Sequence, residues 1–168
     1  MIFEELIYRG AIFRRSEESL GTSVALELSA VVFGLSHLAD NAATLSSALS
    51  IAVTGGTALG LAYTLTRILW LPISLHFGWN FSQGALVGGA VSGYRLHGVF
   101  RFTFSGRILV IGGAFRPEAS IYTTVFGLIF ALGLGGWLIT VFGRLPAFDS
   151  SSLKSASRAI DRVPPQIT

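Results

Sequence analysis

Apolar positions dominate this chain in long, nearly unbroken runs. Residues 41–66 and 119–143 contain no Asp, Glu, Lys or Arg, and residues 68–94 contain only His76 as an acid or base. Each run exceeds the roughly 20 residues that a helix needs to cross a hydrocarbon layer about 30 Å thick. The pattern predicts a short helix over 2–13, closed by Arg14 and Arg15, and then a polar turn, "RRSEESLGTS". A second helix follows over about 22–38 with Glu27 as its one charge, and a third over about 45–66. A fourth begins near Pro72, whose missing N–H is tolerated in a first turn, and runs to about residue 93. "YRLHGVFRFTFSGR" reads as a loop or surface helix, "ILVIGGAFRPEAS" as an irregular segment, and "GLIFALGLGGWLITVF" as the body of a last spanning helix. The fold expected is an all-α, polytopic transmembrane bundle of about five hydrophobic helices. It forms one core over 1–143, with a polar, proline-bearing tail over 144–168.

Composition agrees with the pattern. Of the 168 residues, 51% are hydrophobic and 12% charged, against about 25% charged in soluble domains, and the mean hydropathy is +0.64. The net charge of +3 does not indicate a nucleic-acid partner, because the arginines lie between apolar spans and form no basic face. The absence of cysteine excludes disulfide and thiol chemistry. No basic leader precedes an apolar core at the start, "MIFEELIYRG", so a secretory signal is not expected there. Counting loops on alternate sides places Arg14, Arg15, Arg67, Arg144, Lys154, Arg158 and Arg162 on one side, and Arg95, Arg101, Arg107 and Arg116 on the other. The first side is favoured as cytoplasmic. A multi-pass membrane protein is expected, in the cell membrane if the source is bacterial, with the lipid bilayer as an obligatory partner.

Three polar clusters interrupt these apolar helices, at a cost of about 2.5–3.5 kcal/mol for each charge at membrane depth. They are Glu4, Glu5 and Arg9 in "EELIYRG", Phe33 and His37 in "FGLSH", and His76 and Asn80 in "HFGWN". Helical spacing predicts that Glu5 and Arg9 neutralise each other at i,i+4 through a bidentate pair, leaving Glu4 as a desolvated carboxylate suited to acid–base work. His76 and Asn80 share one helix face. A carboxylate and an imidazole can deprotonate water, and a second imidazole with a carboxamide can donate to a developing oxyanion, which is the inventory of a water-using peptidase. Ser36, Ser74 and Ser82 lie nearby, but none sits in a nucleophile elbow. A zinc site built from His37, His76 and a glutamate also fits ligand chemistry. A third alternative is a non-catalytic membrane immunity or peptide-binding protein in which the polar set grips a chain or stabilises helix packing.

The order "EExxxR", "FxxxH", "HxxxN", together with "LPISLHFGWN", resembles the CPBP, or Abi, family of intramembrane glutamate peptidases, which includes CAAX-prenyl endopeptidases and bacteriocin-processing and immunity-type proteins. The resemblance covers about residues 1–143. It implies that Glu4 and His37 activate water, that His76 and Asn80 form an oxyanion hole, and that Glu5, Arg9 and Phe33 support them. It implies a membrane-associated protein or peptide substrate, prenylated in some members though not necessarily in a bacterial one, and no resident cofactor. Members of the family carry helices before "EExxxR", so the chain is expected to correspond to the C-terminal part of the family domain.

Overall fold

The computed structural model describes residues 1–100, 105–115 and 117–143. The tail over 144–168, and with it Arg144, Lys154, Arg158 and Arg162, lies outside the described residues, as do Arg101 and Arg116. Helix α1 covers 2–20: α-helical at Ile2–Glu5, widened to π geometry over Leu6–Phe13, and α-helical again over Arg14–Leu20. Helix α2 covers Thr22–Ser36 and tightens into a 3₁₀ turn at His37–Ala39. Helix α3 spans Leu45–Thr66 with a π segment at Ala52–Gly56. Helix α4 covers 70–86, ending in a π segment at Phe81–Leu86. A small antiparallel hairpin pairs β1 (Ala90–Val91) with β2 (Tyr94–Arg95). A short helix α5 (Ile108–Ile111) and a 3₁₀ turn (Pro117–Ala119) then lead into α6 (Ile121–Phe142). Five long helices thus stand among the described residues, as the hydrophobic pattern predicts.

Two boundaries differ from the sequence expectation. "RRSEESL" is helix and not turn: it contains no glycine or proline, Arg14 and Glu18 pair at i,i+4 (3.9 Å), and the helix ends only at Gly21. At its end Glu17 accepts from both arms of Arg67 (2.6 and 3.0 Å) and from the Thr22 hydroxyl (2.7 Å), which ties the exit of α1 to the C-terminus of α3. The fourth helix stops at 86, not 93, because the chain folds back on it. The Val99 and Phe100 amides donate to the Ala85 and Leu86 carbonyls (2.8 and 2.9 Å), and the Gln83 amide donates to the Ala90 carbonyl.

Helices Thr22–Ala39, Leu45–Thr66 and Ile121–Phe142 are each long and apolar enough to cross a membrane, and only 11% of the last is buried. A helix apolar all round and left bare to this extent needs lipid as its solvent. Between α2 and α3 the packing is backbone to backbone. A Cβ on Gly34 would lie 2.6 Å from the Ala52 Cβ and 2.8 Å from its amide nitrogen, and one on Gly56 would lie 2.9 Å from the Ala30 Cα. Small residues allow this approach, as in membrane helix pairs generally. The contact sets Phe33 and His37 of α2 beside the middle of α3. Gly34→Ala should therefore cost about 1–3 kcal/mol through overpacking. Gly78→Ala, with nothing within 4 Å of the added carbon, should leave stability unchanged or slightly raised. Thermal unfolding of both variants in detergent, followed by helicity, checks the contrast.

Candidate functional site

Arg9 sits at the centre of the polar interior. It is fully buried in the π segment of α1, and its Nη1 donates to Glu5 Oε1 (3.1 Å). Its Nη2 donates to the carbonyls of Gly56 (2.9 Å) and Gly55 (3.4 Å) in the π segment of α3. The bidentate Glu5–Arg9 pair expected from spacing is thus replaced by a fork divided between one carboxylate oxygen and two backbone carbonyls. These carbonyls lie where the α-helical ladder is interrupted, which makes them available as acceptors. The face of the guanidinium lies 4.5 Å from the centre of the Phe33 ring, a cation–π contact in a desolvated setting.

Glu5 is likewise fully buried, and its Oε1 also contacts His76 Nδ1 at 2.8 Å. On the other ring nitrogen, His76 Nε2 stands 3.6 Å from Glu4 Oε2. His76, 8% exposed, therefore lies between two adjacent carboxylates from α1. Glu4 is half-exposed, and its Oε1 accepts from the Met1 amine (2.7 Å). Of the two glutamates, the one expected to be desolvated is the more accessible, while its neighbour is sealed. The cause is the 100° step per residue, which turns Glu5 toward Arg9 and Glu4 away from it.

His37 closes α2. The last turn tightens so that the His37 amide bonds the Gly34 carbonyl, leaving the Phe33 carbonyl to accept from the Ser36 hydroxyl (2.7 Å) and to pair with His37 Nδ1 (2.8 Å). A carbonyl only accepts, so Nδ1 carries the proton and the neutral ring keeps Nε2 as a base. Phe33 packs edge-on against Tyr8 (5.1 Å), His37 (4.7 Å) and His76 (5.9 Å), fixing both imidazoles against one ring.

His37, His76 and Asn80 line a cavity of about 630 Å³ with walls from α2, α3, α4 and α6. Phe33, Ile51, Leu59, Trp79 and Phe126 supply much of its apolar surface. Glu4 is not among the lining residues, and within contact distance it meets His76 and not His37. Asn80 joins the two imidazoles as a member of the cavity wall. Among the described residues no group of three His, Cys, Asp or Glu side chains is spaced to hold a metal ion.

Sequence reasoning missed two participants. One is the pair of Gly55 and Gly56 carbonyls, signalled only by small residues on an apolar helix. The other is Glu118, a buried acid in the 3₁₀ turn before α6, which also lines the cavity. Glu118 accepts from the Ser92 amide (2.7 Å) and from Trp79 Nε1 (3.4 Å), and burial pushes its carboxyl above the ordinary carboxylate range. Its position in "RPEAS" is the one sequence signal that could have found it.

These features define a membrane protein with a buried acid–imidazole cluster beside a cavity between its helices. Residues 1–82 match the sequence model of the family described as Rce1-like, type II CAAX prenyl endopeptidase, and the resemblance to the CPBP family holds over that part of the chain. The match supports an intramembrane protease in general terms. Searches among curated proteins and among solved structures returned no match.

Removing Arg9 should be the most damaging change at the site. Arg9→Ala leaves Glu5 charged and buried without its cation, at about 3–5 kcal/mol. Arg9→Lys cannot reproduce the fork to Glu5, Gly55 and Gly56 and should also lower stability. Denaturant unfolding of both variants in micelles, with proteolytic resistance as a second readout, checks the order wild type, Lys, Ala.

Proposed function

We propose that the protein is a multi-pass intramembrane endopeptidase of the glutamate type, acting on a membrane-associated protein or peptide. The observation that carries the reading is the meeting of Glu4 and Glu5 of α1 with His76 of α4, whose ring packs with that of His37 of α2 on Phe33 at the edge of a cavity large enough for an extended peptide segment.

Glu4 is the carboxylate suited to proton transfer, being half-exposed and free of Arg9, whereas Glu5 is committed to Arg9 and His76. With Nδ1–H held by the Phe33 carbonyl, His37 offers Nε2 to a water shared with Glu4. The water oxygen attacks the scissile carbonyl carbon as its proton passes to Glu4. The carbonyl oxygen becomes negative and accepts from His76 Nε2–H and the Asn80 carboxamide. In that role His76 carries a proton on Nε2 as well as on the Nδ1 that faces the Glu5 carboxylate, a ring set between two carboxylates. Collapse of the intermediate breaks the C–N bond, and Glu4 returns its proton to the leaving amine, giving a carboxylic acid, which keeps the second water proton, and an amine. Thr22–Ala39, Leu45–Thr66 and Ile121–Phe142 are the crossings in this reading, with the cell membrane as the site of action in a bacterial source. Side chains activate the water without a resident metal.

Glu4→Gln should lower cleavage of membrane-tethered peptides by about 10²–10⁴-fold while peptide binding and helicity persist. Asn80→Ala should cost about 10²–10³-fold in kcat with little change in KM. Added chelator should leave the wild-type rate unchanged. Undiminished cleavage by the Glu4 variant would reject the reading in favour of a different active site, binding without cleavage by the wild type would favour a binding protein, and loss of activity on chelation would point to the zinc alternative.

A further inference from the structure

Glu118 has no part in the proposed chemistry, yet among the described residues it is the one carboxylate that lines the cavity, and no Lys or Arg among them lines it. It is 8% exposed, and among the described residues no Lys or Arg pairs with it, the titratable groups acting on it being His37 and His76. A buried carboxyl without a counter-charge is costly, and its local partners compensate only in part. The Ser92 amide engages Oε2 and Trp79 Nε1 engages Oε1, one donor to each oxygen. Each carboxylate oxygen can accept more than one hydrogen bond, so acceptor capacity remains.

The group is also held rigidly. The Glu118 carbonyl accepts from the Ser50 hydroxyl of α3 (2.6 Å), which is bonded in turn to Thr124 of α6 (2.7 Å). Side chain and main chain are therefore anchored to three separate elements, α3, α4 and the hairpin, and through Ser50 to α6. Trp79, which touches the carboxyl, is the immediate neighbour of Asn80 on α4. The fixed acid thus stands on the same cavity wall as the group assigned to the oxyanion.

We propose that Glu118 is a specificity-determining residue that receives a cationic side chain, lysine or arginine, of a membrane-associated peptide lodged in the cavity. The assignment of that peptide as a substrate rests on the peptidase reading; its binding does not. Entry of a cation supplies a counter-charge that no Lys or Arg among the described residues provides, and ionises a carboxyl that burial otherwise holds toward its neutral form. Charge complementarity therefore favours a basic residue at one position of the bound chain and disfavours an acidic one. A norleucine of similar length fills the apolar space but leaves the carboxyl unpaired.

The test uses the full chain in vesicles of zwitterionic lipid, so that the bilayer itself does not concentrate basic peptides. Fluorescent lipid-anchored peptides carry lysine, norleucine or glutamate at one position, and the position is moved along the sequence. At one position the lysine peptide should bind about tenfold more tightly than norleucine, and glutamate more weakly than either. Glu118→Gln, which keeps an acceptor for the Ser92 amide, should remove the lysine preference while helicity and norleucine binding are retained. Equal binding of the three peptides to the wild type at every position would overturn the proposal, as would a lysine preference that survives in a folded Glu118→Gln protein. Should that variant fail to fold, the wild-type ranking of lysine, norleucine and glutamate decides alone. Binding is read without cleavage. A protein that cleaves nothing but keeps the ranking loses the peptidase reading and not this one, and a protein that cleaves without any ranking loses this one and not the peptidase reading.

Discussion

A guanidinium with no access to water, inside a bundle made largely of hydrocarbon, constrains much of this structure. Arg9 cannot give up its charge, so its donors must be matched by the protein. Glu5 supplies one acceptor from the same helix, and Gly55 and Gly56 supply two from α3. Phe33 of α2 covers the flat face. Three helices are therefore committed to one side chain, and their separation is fixed by it. The match is incomplete: Arg9 Nε and Glu5 Oε2 are both buried without a hydrogen-bond partner. In a low-dielectric interior the mutual attraction of the pair, the carbonyl contacts and the aromatic face offset the cost of desolvating both ions.

The helices accommodate this by local changes of winding. π geometry begins at Leu6, directly after the glutamate pair, at Ala52, just before the carbonyls that receive Arg9, and at Phe81, directly after Asn80. At the end of α2 the opposite change occurs, and the tighter 3₁₀ turn frees the Phe33 carbonyl to hold the His37 ring. Wider and narrower turns both take backbone groups out of the regular ladder and give them to side chains, which is why such turns gather at functional sites. Ser29 takes another freed group, the Tyr8 carbonyl in the widened part of α1 (3.0 Å).

Much of the architecture was legible because lipid-spanning helices must be long, apolar and internally hydrogen-bonded. The run 45–66 gave its helix to the residue, and the break after 38 gave the end of α2 within one turn. Boundaries failed where polar residues continue a helix: "RRSEESL" reads as a turn by charge, but its side chains pair within the helix and with Arg67. Partners were less legible than members. Glu5, Arg9, Phe33, His37 and His76 lie together in one cluster. That His76 contacts both glutamates, and that Arg9 reaches backbone across 46 and 47 residues, depends on winding changes that no side-chain period encodes. Glu118 was invisible for another reason: an isolated acid in an irregular segment has no periodicity to mark it as buried.

Two consecutive glutamates in an apolar helix look redundant, and the geometry separates them. A helix turns successive side chains by about 100°, so only one of the pair can face the bundle axis where Arg9 lies. Glu5 faces it. Its Oε1 is shared between Arg9 and His76, and moving a proton onto it would weaken both contacts at once, so it is suited to holding charges in place and poorly suited to exchanging protons. Glu4, one position earlier, keeps water access and touches the other nitrogen of the same imidazole. The carboxylate proposed to take up and release a proton is the one the core does not use. By taking up Arg9, Glu5 leaves Glu4 to the Met1 amine, His76 and solvent, the setting in which the proposed proton transfer would occur.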